Sequence, residues 1–294
     1  MTPHSNATEF HFTSSDGLRI ACARWESRGG VRGVIQLAHG MGEHIGRYAS
    51  TIEALVSTGL TVYGNDHRGH GRTTPSGTHF GDFGPGGFDL LVEDMVRLSR
   101  IAKDVHPDAP FLLLGHSMGS FAAQQYALDH SGEIDGLILS GSGALDGLAR
   151  LARSAPPGQN FLNAPFDPAR TPFDWLSRDP AVVDAFIDDP LCFPQLQGPA
   201  LASFLAAANR LADPARLRGI RPDLPVYLFS GSEDPVGQQL AGVKLQIARY
   251  RDAGLHDIST DLYPGGRHEM LNETNRDEVR ARLIAWIGAT LQKR

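Results

Sequence analysis

The pentapeptide GHSMG at residues 115–119 places Ser117 between two glycines, directly after the apolar run 111–114. A strand that ends here and passes at once into a helix must turn sharply at Ser117. Glycines 115 and 119 remove β-carbons that would collide in such a turn, and the hydroxyl would stand above the sheet edge beside the first amides of the helix. The pattern predicts a nucleophilic serine, provided that the strand and the helix are present.

A serine hydroxyl is a poor nucleophile at neutral pH, so a histidine must take its proton and a carboxylate must orient that histidine. In chains with this strand–serine–helix turn, the acid and then the histidine follow the serine. Among the twelve histidines, His256 and His268 are placed late enough. His256 precedes the last predicted strand, whereas His268 follows it in the loop PGGRHEM. We therefore expect His268 to be the base.

The acid is expected on a loop after one of the later strands. The segment VYLFSGSED offers Glu233 and Asp234 there, while the strand at 136–140 runs into SGSGA, which has no carboxylate. Pro235 favours a turn that would point Asp234 inward, so Asp234 is preferred to Glu233. The preference rests on residue type alone.

The reaction also needs donors for the negative charge that develops on the substrate oxygen, and these are usually backbone amides. The amide of Met118, directly after the serine, is one candidate. The second is the amide of Met41 in HGMGEH, where glycines 40 and 42 allow the backbone to approach a substrate. His39 and His44 flank this loop and are expected to hydrogen-bond it into shape, and His116 is expected to pack beneath Ser117.

Strand and helix patterns alternate along the chain and predict an α/β fold with a mostly parallel sheet. Eight strands are predicted, at 9–13, 18–25, 34–38, 60–65, 111–114, 136–140, 226–230 and 257–263. Helices are predicted at 47–58, 87–104, 119–128, 238–250 and 276–292. In such sheets ligands bind beyond the carboxyl ends of the strands.

The alternation stops after residue 142. Twelve of the 19 prolines lie between positions 156 and 225, in a stretch that has short helical patterns and many large apolar residues. We predict that 143–217 is an inserted helical cap between two parts of one core, 1–142 and 218–294. The alternative is a set of small helices without a role in substrate binding.

Six motifs occur in order over nearly the whole chain: HGMGEHIGRY, NDHRGHGRT, GHSMG, SRDPAVVDAFIDDPL, GSEDPVG and GGRHEMLNE. Together they resemble the monoacylglycerol lipase and lysophospholipase branch of the α/β-hydrolases. The resemblance implies an α/β-hydrolase fold with a lipid-facing cap, a triad of Ser117, Asp234 and His268, and oxyanion donors at Met41 and Met118. Thr73 stands where the family often has serine.

The composition excludes some alternatives. A formal charge of −6 and a pI near 6.0 argue against nucleic acid as a partner. The sequence has neither a signal peptide nor a run of 18 apolar residues, so a cytoplasmic protein is expected. Cys22 and Cys192 are expected to be free thiols, with a long-range disulfide as the alternative. His67 and His70 have no further ligands nearby, and no metal or cofactor is expected.

The sequence thus predicts a serine hydrolase that cleaves carboxylic esters through an acyl-enzyme, with monoacylglycerols or similar single-chain lipids as preferred substrates. A lysophospholipase or a broad short-chain carboxylesterase is the first alternative, and transfer of the acyl group to an alcohol is a further one. A catalytically silent binding protein with the same fold is the alternative of another class. Lipid substrates would favour transient contact of the cap with a membrane surface.

Overall fold

The computed structural model describes residues 7–74, 79–156 and 158–293, and an eight-stranded sheet lies at its centre. In chain order the strands are β1 (Ala7–Thr13), β2 (Arg19–Trp25), β3 (Gly33–Ala38), β4 (Leu60–Asn65), β5 (Phe111–His116), β6 (Gly136–Ser140), β7 (Val226–Gly231) and β8 (Ile258–Tyr263). Their order across the sheet is β1-β2-β4-β3-β5-β6-β7-β8. The predicted eight-stranded sheet is confirmed.

Strands β3 to β8 are parallel to one another, whereas β2 runs antiparallel to both of its neighbours, β1 and β4. The register places the ends of neighbouring parallel strands side by side: Ala38 pairs with Gly115, His116 with Ser140, and Gly231 with Tyr263. Loops that leave these strands therefore meet at one edge of the sheet. This edge carries every residue that the sequence singled out for chemistry.

Helices cover both faces of the sheet. They are α1 (Ala49–Ser57), α2 (Gly87–Val105), α3 (Met118–His130), α4 (Leu145–Ser154), α5 (Pro180–Asp188), α6 (Gly198–Leu211), α7 (Pro214–Leu217), α8 (Ala241–Asp252) and α9 (Arg276–Gln292). Apolar residues of α1 and α9 pack on one face, and those of α2, α3 and α8 on the other. None of the helices within the described ranges is long and apolar enough to cross a membrane.

Helices α4 to α7 lie between β6 and β7, where the inserted cap is predicted. Their buried residues, among them Phe186 and Phe204, belong to the same apolar cluster as α2 and α3. The segment therefore packs on the core instead of forming a separate unit.

Two element boundaries differ from the sequence prediction. Strand β5 continues to His116, so Ser117 follows it without an intervening residue. Helix α8 begins at Ala241 and not at Gln238, because residues 238–240 have positive φ, which an α-helix cannot include. The remaining core strands and helices lie within two residues of the predicted bounds.

A buried ionic cluster holds the loop after β4, which leaves the sheet at this same edge. The Arg68 side chain has no exposed surface; it bonds to Asp94 at 2.9 Å, to Asp16 at 2.9 Å and to the Phe83 carbonyl at 2.8 Å. Asp94 is itself buried and also accepts a hydrogen bond from Ser14. Since Arg68 is the cationic partner of a buried carboxylate, the cluster depends on it.

Replacing Arg68 with Met is expected to lower the free energy of unfolding by about 3–5 kcal/mol, because Asp94 is left buried without its cation. Urea denaturation followed by circular dichroism measures the loss. Arg100, whose side chain is 60% exposed in its ion pair with Glu133, is the matched control. Arg100→Met should cost about 1 kcal/mol or less, and equal losses in the two variants would contradict the assignment.

Candidate active site

Ser117 occupies a strained turn between β5 and α3. Its backbone has φ 54° and ψ −123°, a conformation that residues with a β-carbon rarely adopt. The Ser117 amide donates to the Ser140 carbonyl at 2.9 Å, and its own carbonyl accepts from the Ser120 amide at 2.8 Å. The serine is thus fixed by bonds on both sides while its side chain stays half-buried at the sheet edge.

The glycines beside Ser117 are required by close packing. A β-carbon on Gly115 would lie 2.3 Å from the carbonyl oxygen of Gly119, and one on Gly119 would lie 2.3 Å from the carbonyl oxygen of Ala38. Both distances are too short for real atoms. The sequence interpretation of these glycines is therefore confirmed, and the turn brings α3 against the end of β3.

Asp234 and His268 lie together at the same edge. The two side chains are buried, and Nδ1 of His268 lies 3.0 Å from Oδ1 of Asp234. Burial lowers the pKa of His268, but the charge of Asp234 and the hydrogen bond to it outweigh burial and raise the pKa above its usual value. The bond orients the ring, because Nδ1 donates to the carboxylate and Nε2 is left to accept a proton.

The alternative candidates lie elsewhere. Glu233 is exposed, whereas its neighbour Asp234 is buried because the Asp234 carboxylate also accepts the Val236 amide at 2.9 Å. His256 is exposed at the start of β8, the opposite end of the strand from His268. The structure therefore brings together Ser117, Asp234 and His268 among the predicted residues.

His116, which the sequence analysis expects beneath Ser117, packs beside the ring of His268. Its ring centroid lies 4.7 Å from that of His268, and its Nδ1 lies 3.2 Å from the Ser140 hydroxyl. Burial, with the nearby charge of His268, lowers the pKa of His116 to about 4. His116 is therefore neutral at pH 7 and adds no charge next to the base.

The loop at residues 39–44, here called the oxyanion loop, is held from both ends. His39 accepts the His67 amide at Nε2, at 2.9 Å, so its Nδ1 carries the proton and donates to the Gly40 carbonyl at 2.8 Å. His44 accepts the Gly46 amide at Nδ1. The expectation that histidines hydrogen-bond this loop into shape is confirmed for His39, whereas the side chain of His44 bonds to Gly46 and Asp189 outside the loop. Within the described residues, the amides of Met41 and Met118 have no hydrogen-bond acceptor.

A buried charged network under the oxyanion loop was missed by the sequence analysis. Glu43 accepts hydrogen bonds from the Gly40 amide and from the Tyr48 hydroxyl, the latter at 2.6 Å. Arg47 bonds to Glu43 at 2.7 Å and to both carboxylate oxygens of Glu269 at 2.7 and 2.9 Å. Because Glu269 directly follows His268 in the chain, the network links the oxyanion loop to His268.

The charges of this network compensate one another. Burial acts to raise the pKa of Glu43. The positive charge of Arg47 and other contacts have the larger effect and lower this pKa to about 2. Glu43 is therefore ionised at neutral pH and holds the Gly40 amide in a charge-assisted hydrogen bond. The adjacency of Glu43, Arg47 and Tyr48 in GEHIGRY was visible in the sequence, but their contact with Glu269 was not.

A large apolar cavity of about 550 Å³ opens at Ser117. It runs between the core and the cap, and its apolar lining includes Met118, Phe121, Leu148, Phe161, Phe204 and Leu205. The volume lies within the range of small-molecule binding sites. The cavity can hold a long hydrocarbon group with one end at Ser117.

A second, small chamber of about 30 Å³ lies at the same serine. Its walls include the charged network (Glu43, Arg47 and Glu269) together with apolar cap residues such as Trp175 and Phe193. The Trp175 ring lies 4.8 Å from the ring of His268, which is buried, so residues of the inserted segment help to shield this histidine from water. No local pattern in the sequence predicts this contact.

The metal spacing considered for His67 and His70 has a structural explanation. The two rings pack with His39 at centroid distances of 4.2 and 5.2 Å from it, and His70 also contacts Phe193 of the cap. In the described part of the chain, three residues do have metal-ligand spacing: His44, Asp189 and Cys192. Cys22 and Cys192 are free thiols, as expected.

Comparisons with known proteins agree with this geometry. The family model Hydrolase_4, described as serine aminopeptidase, S33, matches residues 29–275. A monoacylglycerol lipase from Mycolicibacterium smegmatis is 32% identical over 98% of this chain and 99% of its own length. A monoglyceride lipase from Mus musculus is 29% identical over 90% of this chain and 84% of its own length.

A solved structure shows the same architecture. A highly thermostable carboxyl esterase from Bacillus coagulans, solved in complex with glycerol, superimposes with a TM-score of 0.87 at 29% identity and covers 97% of this chain. The match covers 99% of that esterase. Since the family model covers most of the chain and the mycobacterial relative aligns over nearly its full length, the chain belongs to the Hydrolase_4 family of serine hydrolases with the α/β-hydrolase fold.

Proposed function

We propose that Ser117, Asp234 and His268 form the catalytic triad of a monoacylglycerol lipase. The assignment is supported by the strained turn at Ser117, by the bond of 3.0 Å between His268 and Asp234, and by the small chamber that both Ser117 and His268 line. The monoacylglycerol lipases among the relatives support the substrate.

In the proposed reaction the Ser117 oxygen attacks the ester carbonyl while Nε2 of His268 takes its proton. The carbonyl oxygen becomes an oxyanion that accepts hydrogen bonds from the amides of Met41 and Met118. His268 then gives the proton to the leaving alcohol, which departs and leaves an acyl-enzyme. Water, deprotonated by His268, attacks the acyl group, and the acid is released as Ser117 regains its proton.

The substrate assignment rests on one observation: the apolar cavity and the small chamber both open at Ser117. The apolar cavity fits a single acyl chain, while the small chamber is walled by Glu43, Arg47 and Glu269. A small head group bearing hydroxyls can bond to these charges once the wall of the chamber moves to admit it, since about 30 Å³ holds little more than water. The site therefore favours an ester of one long acid with a small polyol.

The same contacts support the role of residues 143–217 as a cap. Residues of this segment line the apolar cavity and cover the base. The free thiols Cys22 and Cys192 suit a reducing compartment, and we place the protein in the cytoplasm on that basis.

Replacing Ser117 with Ala should abolish labelling by a fluorophosphonate probe and lower kcat on monoacylglycerols by about 10³-fold or more, since the nucleophile is lost. Gel fluorescence and fatty-acid release measure the two effects. Equal labelling of the variant and the wild type would contradict the assignment.

Comparing monoacylglycerols with lysophospholipids of the same acyl chain tests the head group. Faster turnover of lysophospholipids would overturn the substrate proposal.

The pH profile of the reaction tests the pairing of Asp234 with His268. His268 must be neutral to act as a base, so kcat/KM should fall as the pH drops through the His268 pKa, which lies above 6.5. Asp234→Asn removes the negative charge that raises the pKa of His268. Burial, which lowers this pKa, is unchanged. We expect kcat to drop by about 10⁴-fold and the acid limb to move to lower pH. Glu233→Gln, the exposed neighbour, should change neither quantity, and an unmoved limb in Asp234→Asn would refute the pair.

The apolar cavity should set the acyl-chain preference. Ala152 of α4 lines it, whereas Ser154 on the same helix is exposed. Ala152→Trp fills part of the cavity, so kcat/KM for long-chain monoacylglycerols should fall about tenfold or more relative to butyrate esters, consistent with loss of apolar burial of the chain. Ser154→Trp is the matched control. A uniform loss on all chain lengths would show that the cavity does not hold the acyl chain.

We further propose transient membrane contact through the cap. Leu151 of α4 and Leu201 of α6 are 43% and 37% exposed, and Leu201 lines the apolar cavity. Exposed apolar side chains beside a lipid cavity can enter a bilayer surface. Changing both to Asp should reduce sedimentation with phosphatidylcholine vesicles and activity on vesicle-borne substrate, while hydrolysis of soluble butyrate esters persists. Val105→Asp, at a 51% exposed site outside the cap, is the control. Unchanged sedimentation of the double variant would exclude this contact surface.

A further inference from the structure

Three side chains with different donor atoms meet where the cap touches the oxyanion loop. His44 ends that loop, Asp189 follows α5, and Cys192 lies three residues further on. Nε2 of His44 lies 2.9 Å from Oδ2 of Asp189, and one donor atom from each of the three residues lies within 4.8 Å of the others. Within the described ranges, no other group of His, Cys, Asp or Glu meets this criterion.

The local backbone fixes this arrangement before any ligand binds. Oδ1 of Asp189 accepts the Leu191 amide at 2.9 Å, which directs Oδ2 toward His44. The Cys192 amide donates to the Asp189 carbonyl at 3.0 Å, so a tight turn brings the thiol back beside the carboxylate. The side chains of His44 and Asp189 are 14% and 28% exposed, which leaves a path from solvent.

A thiolate, an imidazole and a carboxylate together suit Zn²⁺. The ion binds thiolate sulfur at about 2.3 Å and imidazole nitrogen or carboxylate oxygen at about 2.0–2.2 Å, so tetrahedral ligand atoms lie roughly 3.5 Å apart. In the structure these donor atoms lie within 4.8 Å of one another, so they must move by about 1 Å to reach the spacing of zinc ligands. Three protein ligands leave a fourth position for water.

Binding of Zn²⁺ would displace the proton on Nε2 of His44 and the thiol proton of Cys192. In the metal-free protein His44 accepts the Gly46 amide at Nδ1, at 3.2 Å, so its proton lies on Nε2. When Zn²⁺ binds Nε2, that proton moves to Nδ1 and this long hydrogen bond is lost. The thiol proton of Cys192 passes to water, and the carboxylate of Asp189 exchanges its bond to His44 for the metal.

The surrounding charges are compatible with a cation. The nearby ionised groups are Arg47 and the two carboxylates bonded to it, Glu43 and Glu269. Both carboxylates bond to the guanidinium, so the single positive charge close to the cluster is more than balanced.

A metal ion bound by these three residues would hold one wall of the small chamber in place. Phe193, the residue after Cys192, donates its amide to the Gly42 carbonyl at 2.9 Å and lines the chamber with Pro194. A chamber of about 30 Å³ holds little more than water, so a polyol can enter or leave only if this segment moves. A metal that ties residues 189 and 192 to residue 44 would oppose that movement.

We propose that His44, Asp189 and Cys192 form an inhibitory zinc site that clamps the cap to the oxyanion loop. The binding part stands independently of the proposed function. The inhibitory part rests on it, because it requires that the small chamber serve the leaving alcohol.

Isothermal titration of the tag-free protein with ZnCl₂ should show one ion per chain. Cys192→Ser removes one ligand and should weaken binding by at least about 100-fold, beyond the roughly 10–100-fold typical for groups outside the coordination sphere. Cys22→Ala, which removes the other thiol from the interior of β2, is the matched control and should bind like the wild type. Absence of saturable binding, or equal binding by Cys192→Ser and wild type, would overturn the site.

Co²⁺ and kinetics supply independent readouts. Co²⁺ bound in place of Zn²⁺ should give a thiolate-to-metal charge-transfer band that is absent in Cys192→Ser; a spectrum without this band in the wild type would refute the ligand set. Zn²⁺ should lower kcat of the wild type and of Cys22→Ala reversibly, with recovery on adding EDTA, and should not lower that of Cys192→Ser. Binding without a fall in kcat would refute the clamp. Failure of the proposed function is seen separately, as absence of ester hydrolysis in metal-free enzyme.

Discussion

The left-handed turn at Ser117 is the constraint on which the site depends. Ser117 is held at φ 54° between two glycines that cannot carry side chains, because a close approach of the backbone puts Gly115 against α3 and Gly119 against the end of β3. The same approach brings α3 against the end of β3, so the loop after β3 is placed beside the serine. One strained residue thereby fixes the nucleophile and both candidate oxyanion donors, Met41 and Met118, relative to each other.

The oxyanion loop is stabilised by electrostatics beneath this turn. Glu43 stays ionised in a buried position because Arg47 compensates its charge, and it holds the Gly40 amide. Arg47 in turn bonds to Glu269, next to His268. A displacement of the base would therefore disturb the oxyanion loop as well, since buried ionic groups tolerate the loss of a partner poorly. The loop that carries Met41 and the segment that carries His268 are thus linked by one network in this carboxylic ester hydrolase.

The cap completes the site by apolar contact. Trp175 covers the His268 ring, and Phe193 packs on His70 while its amide bonds to the oxyanion loop. These contacts divide the space at Ser117 into a large apolar cavity and a small charged chamber. Residues 143–217 contribute to the walls of both spaces, whereas Ser117, Asp234 and His268 lie on loops of the core.

The sequence alone determined the parts that depend on local pattern. Short apolar runs and their regular alternation with helical patterns specified all eight strands, and residue type and chain order singled out Ser117, Asp234 and His268, which the fold brings to one edge. Backbone departures such as the late start of α8 were not visible, because positive φ at 238–240 leaves no signature in residues other than glycine. Only the tertiary structure decided the network and the two cavities. Arg47 and Glu269 lie 222 positions apart, and no local rule pairs a cation with one of many distant carboxylates. Their contact exists because parallel strands bring the loops that follow them to the same edge of the sheet.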